Sequence, residues 1–133
     1  MNIKRFLLTA LAVLVVREVL GYVIHAVLLT PYYQETYSLW RMPEEVNIGL
    51  VYLVGLVWSL LFTYIFTKGY EGKGLMEGLR YGLLVGLLIS VPAAFGTYAV
   101  QPITLALAIA WSIYGTVQVV ACGLVAVLVY ERA

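Results

Sequence analysis

Residues 6–29 read FLLTALAVLVVREVLGYVIHAVLL. A bilayer core about 30 Å thick is crossed by roughly 20 apolar residues in a helix, and this run is long enough. Arg17 and Glu18 stand near its midpoint. There each ionised side chain costs roughly 2.5–3.5 kcal/mol on insertion scales, so the stripe that carries them has to face protein or water. The run follows Lys4 and Arg5 and so begins like a signal peptide. It continues too long for one, and Ala10-Leu11-Ala12 falls too early to be a cleavage site, which predicts a retained signal anchor.

Further apolar runs lie outward from it, at about 48–67, 79–99 and 104–130. Across the 133 residues 63% are apolar and 11% charged, against roughly 45–50% and about 25% in soluble domains. An ordinary water-soluble globule is excluded. Each run is continuous and lacks period-two alternation, which excludes an outer-membrane barrel. The expected fold is all-α: a single transmembrane domain over residues 1–133, with four helices in an antiparallel bundle.

Lys4, Arg5, Lys68, Lys73, Arg80 and Arg132 fall on one side of the predicted membrane and only Arg41 on the other. The positive-inside rule therefore puts both termini in the cytoplasm, as for a bacterial inner-membrane protein. The Pro31–Glu45 connection carries Tyr32, Tyr33, Tyr37 and Trp40 and is expected at the headgroup level. A net charge of +1 gives no general attraction to nucleic acid.

In the third span Gly78, Gly82, Gly86, Ser90 and Ala94 recur every fourth residue. That stripe predicts a close helix crossing, within one subunit or between two, and Pro92 is expected to bend the helix beyond it. In the fourth span Thr104, Ala108, Trp111, Gly115, Gln118, Cys122 and Ala126 fall on one side, with Ile113, Val120 and Leu124 opposite. The first group is expected to face the bundle and the second to face lipid.

Arg17, Glu18, Gly21 and His25 share one arc of the first helix. Adjacent residues diverge on a helix, so Arg17 and Glu18 are expected to find partners on other helices, among Gln118, Ser59, Tyr52, Ser90 and Tyr114. Two readings of the polar site Arg17, Glu18, His25 and Gln118 stay open. It is either a polar path with Glu18 and His25 as protonatable stations, or a permanently paired core that fixes helix register.

Cys122 is the only cysteine and His25 the only histidine. No disulfide, metal site or cofactor is expected, and no catalytic constellation suggests an enzyme. The loop between Lys68 and Gly74 lacks the spacing of a phosphate-cradling motif.

The chain resembles small four-span bacterial membrane proteins whose shared domain has no assigned function. The likeness covers nearly the whole chain. It rests on Gly21 with the aromatic and histidine exit of the first span, the Tyr32–Trp40 loop, Glu77-Gly78-Leu79, and Trp111 with Gly123. It implies architecture and bacterial origin, and no activity.

The leading functional expectation is proton-coupled or small-solute transport around the first helix, in a homo-oligomer surrounded by membrane lipids. Alternatives are an accessory subunit docked to a larger membrane complex through the third-span stripe, and the binding of a lipid or quinone-like ligand.

Overall fold

A computed structural model describes all residues, Met1–Ala133. The protein is helical with no strand. Four helices are long and apolar enough to cross a membrane, at 22 to 28 residues and mean hydropathy 2.0–2.1. The first, α1 (Ile3–Tyr22), continues as a π-helical turn, Val23–Leu28. A short helix α2 (Thr30–Glu35) and two 3-10 turns, Tyr37–Leu39 and Pro43–Glu45, then form a cap. The other long helices are α3 (Ile48–Gly69), α4 (Leu75–Val100) and α5 (Leu105–Arg132).

Local chemistry sets the helix starts. The side chains of Asn2, Asn47 and Thr104 accept hydrogen bonds from the backbone N–H groups of Arg5, Leu50 and Leu107, satisfying donors that a first helical turn leaves free. Helix α4 begins four residues before the apolar run suggests. Glu77 lies in its first turn and accepts from the N–H groups of Glu71 (2.6 Å) and Lys73 (2.7 Å), so the charge belongs to the helix start. Gly74, at φ 70°, makes the turn that leads in. Pro92 sits inside a helix that continues unbroken to Val100.

Side by side the long helices run α3, α1, α5, α4. Helix α5 lies between α1 and α4 and is the most enclosed, with 33% of its apolar window buried against 17% in α4. This corrects the single inner face expected for α5. One flank, with Gln118 and Cys122, meets α1. The other flank, with Gly115, Thr116, Val119, Val120 and Gly123, meets α4. Val120, expected toward lipid, lies against Gly82 because the glycine stripe draws the two backbones together.

That crossing is close. A methyl group on Gly82 would lie 2.7 Å from Val120 Cα and 2.8 Å from the Val119 carbonyl oxygen, and one on Gly86 would lie 3.1 Å from Thr116 Cα. Gly78 packs on Gly123, Ser90 lies against Gly115, and Ala94 is buried. The whole stripe is therefore engaged within one chain.

Two cores flank the middle of the bundle. One joins Val13, Phe62, Phe66, Cys122, Val127 and Tyr130, where the Tyr81 hydroxyl donates to the Phe62 carbonyl at 2.6 Å and ties α4 to α3. The other joins Ile24, Leu29, Ile103 and Leu107 beneath Tyr33, Trp40 and Trp111. Only 25 of 133 residues are buried. The remaining aliphatic surface is far larger than a water-soluble monomer exposes, and suits a chain solvated by lipid.

Candidate functional site

Between α1, α3 and the cap lies an open cleft of roughly 940 Å³. Arg17, Glu18, His25 and Gln118 all line it. Arg17 and Glu18 come from adjacent positions of α1, and His25 from the π-helical turn that continues it, along the arc read from the sequence. Gln118 reaches in from α5, donating its side-chain N–H to the Arg17 carbonyl at 2.8 Å.

At the cleft floor Arg17 Nη1 donates to Glu18 Oε1 at 2.5 Å. The two adjacent residues are therefore each other's partner, which corrects the expectation that they divide between other helices. The long guanidinium arm turns back along the helix surface to reach a carboxylate whose own stem diverges from it. Gly55 on α3 makes room, since a methyl group there would run into the Glu18 carboxylate and lie 2.8 Å from Arg17 Nη1. Below the pair, the Arg17 guanidinium lies over the Trp58 ring, 5.4 Å from its centroid.

The two charged side chains remain 25% and 24% exposed; both line the cleft, and Glu18 also borders an apolar groove formed by α1 and α3, so the pair is sheltered without being sealed. Of the other partners expected, Tyr52 lines the cleft, Ser59 is buried without a hydrogen bond, Ser90 faces Gly115, and Tyr114 belongs to the cap-end core.

His25 stands in the π-helical turn, where the Leu29 N–H reaches back five residues to the Ile24 carbonyl. Such turns add a residue and re-aim the side chains within them. Its Nδ1 lies 2.6 Å from the Tyr33 hydroxyl, which also accepts from Trp111 Nε1 at 2.8 Å. The Tyr33 hydroxyl thus bridges the indole N–H and the imidazole.

The chain Trp111–Tyr33–His25 latches the cap to α5 and α1, and Trp40 packs edge-on against both Tyr33 and Trp111. Sequence reading placed Tyr33 and Trp40 only in an interfacial belt. Tyr33 and Trp111 are 78 positions apart, and no local period links them.

Burial holds the Tyr33 phenol above its ordinary pKa of 10.0, partly offset by the Trp111 hydrogen bond. A raised folded-state pKa means the stability Tyr33 contributes is complete below pH 10 and is lost as the phenol ionises above it. Amide exchange in residues 30–40, measured relative to the base-catalysed intrinsic rate, is therefore expected to accelerate above pH 10 in the native chain. In Tyr33→Phe it is fast already at pH 7, with a stability loss of about 1–3 kcal/mol from stranded partners.

No three His, Cys, Asp or Glu side chains approach one another closely enough to hold a metal ion. What the cleft offers is a charge pair, an amide, an imidazole and Arg41, set among aliphatic and aromatic walls. No family model, curated protein or solved structure matches the chain.

Proposed function

We propose that this chain is a multi-pass protein of a bacterial inner membrane that receives a small amphipathic molecule, of quinone or lipid-headgroup type, in the cleft between α1 and α3. The observation that carries the reading is the cleft itself, roughly 940 Å³ with largely apolar walls and a charge pair on its floor. Ligand sites commonly span about 300–1,000 Å³ and combine apolar lining with a few directed polar groups. Apolar walls suit a ring or acyl chain. Arg17 and the Gln118 amide carry N–H donors that suit carbonyl or headgroup oxygens, and Glu18 suits a headgroup hydroxyl or amine.

The same reading makes the bundle antiparallel with both termini cytoplasmic. Pairing along the α4–α5 crossing supports this, since Gly78, Gly82 and Gly86 meet Gly123, Val120 and Thr116 in descending order. The count of six basic residues against one supports the orientation.

Transport or permeation is the second reading, favoured by the gathering of Arg17, Glu18, His25 and Gln118 in one cleft. It requires the path to continue past Glu18, in another conformation or between subunits of a homo-oligomer. Docking to a larger complex would need a face other than the α4 stripe, which α5 covers.

Tryptophan quenching in lipid nanodiscs by decylubiquinone, with dihexanoyl-phosphatidylglycerol as competitor, tests the proposal. Trp40 is in the cleft wall and Trp58 beneath the floor. Saturable quenching that the short-chain lipid relieves, and that weakens at least tenfold in Arg17→Met/Glu18→Leu, is expected. Quenching that rises linearly with quinone and is equal in both proteins would refute it.

A further inference from the structure

Serine and threonine inside a helix ordinarily satisfy their hydroxyl on the carbonyl one turn back. Thr30, Thr36, Thr97, Ser112 and Thr116 do so here, donating to Ala26, Tyr32, Ala93, Ala108 and Ser112. Thr9, Ser59 and Thr63 do not. Each is fully enclosed at 0% exposure, and the hydroxyl oxygen of each has no hydrogen-bond partner.

All three stand on α1 or α3, which pack together. Contact of Arg17 and Glu18 with Gly55 fixes the register, and Met1 beside Thr67 fixes its sense. Eight residues along each helix from that contact, about 12 Å at 1.5 Å per residue, bring Thr9 and Thr63 to the same level. Ser59 lies one turn nearer the charge pair. Three buried, unsatisfied donor–acceptor groups thus stand on two packed helices within about one turn of the same level.

A buried water is held by two to four polar partners, and each hydroxyl can both donate and accept. We propose that Thr9, Ser59 and Thr63 form a water-binding site that holds one or two ordered molecules inside the α1–α3 interface. All three are neutral hydroxyls, which suit water better than an ion. The bound water extends hydration below Glu18 toward the end of the bundle that carries both chain termini. The site is separate from the cleft and does not depend on what the cleft receives.

Water-edited solid-state NMR of the full chain in lipid nanodiscs reads this directly. Magnetisation transfer from water to the side chains of Thr9, Ser59 and Thr63 is expected to exceed several-fold that to Thr116, whose hydroxyl is satisfied internally. In Thr9→Val/Thr63→Val the transfer to Ser59 is expected to vanish and the melting temperature to fall. If that variant does not assemble, Ser59→Ala is expected to reduce transfer to Thr9 and Thr63. Transfer no greater than at Thr116 would overturn the proposal. So would a raised melting temperature in the valine variant, the signature of dry, unsatisfied hydroxyls replaced by apolar groups.

Discussion

Gly82→Leu is expected to abolish the seating of α4 on α5 and with it the folded state, while Gly96→Leu stays close to the native protein. Even one added methyl group at position 82 lies 2.7 Å from Val120 Cα and 2.8 Å from the Val119 carbonyl oxygen. Both are backbone atoms, so no side-chain rotation relieves the clash, and the helices have to separate. One extra methyl in a packed interface costs about 1–3 kcal/mol, and a leucine side chain costs more.

In lipid there is little hydrophobic drive between helices, so the crossing is held by dispersion contacts that fade within an ångström of separation. At Gly96 a methyl group would meet nothing within 4 Å. SDS titration followed by tryptophan fluorescence separates the two variants. Equal midpoints would show that the α4–α5 contact does not hold the bundle together.

The second large effect is expected at the charge pair, and its sign depends on whether one or both groups are removed. Glu18→Gln leaves the Arg17 guanidinium at mid-span with no anion. Breaking a fully buried pair costs about 3–5 kcal/mol, and the quarter exposure of both side chains lowers the expectation to about 2 kcal/mol. Arg17→Met/Glu18→Leu removes both charges and keeps much of the volume. It is expected to be as stable as the native chain or more so, because the desolvation of two ions disappears together.

The same SDS titration completes the cycle. A double variant as damaged as Glu18→Gln would mean that the pair is needed to set helix register. A stable double variant that no longer retains quinone would place the pair's role in ligand recognition.

Much of the architecture was legible because membrane helices announce themselves by continuous apolar length, and the α4 stripe because small residues four apart must share a face. The arc from Arg17 to His25 was readable for the same reason. Less could be read of α5, which is contacted on two sides. A single-face wheel put Val120 toward lipid, although its backbone is what Gly82 touches.

The mutual pairing of Arg17 and Glu18 was hidden because stem directions diverge at adjacent positions while a long guanidinium can turn back. Its seat, Gly55, is on another helix. The Trp111–Tyr33–His25 latch depends on tertiary contact and on a π-helical turn, neither of which leaves a local period. The unsatisfied hydroxyls of Thr9, Ser59 and Thr63 are visible only once burial and partners are known.

The central claim is that a cleft with apolar walls and a charged floor, open to water and to amphiphiles, penetrates to mid-span beside α1. Thiol labelling tests it most directly, because a methanethiosulfonate reagent reacts with the thiolate, which forms only where water reaches. In a Cys122→Ala background, His25→Cys and Gln118→Cys are expected to react at least 100-fold faster than Ile113→Cys, which faces outward on α5 at 57% exposure. Decylubiquinone is expected to protect both cleft positions. If Gln118→Cys proves as inert as Ile113→Cys, the cleft is closed to water and the account is contradicted.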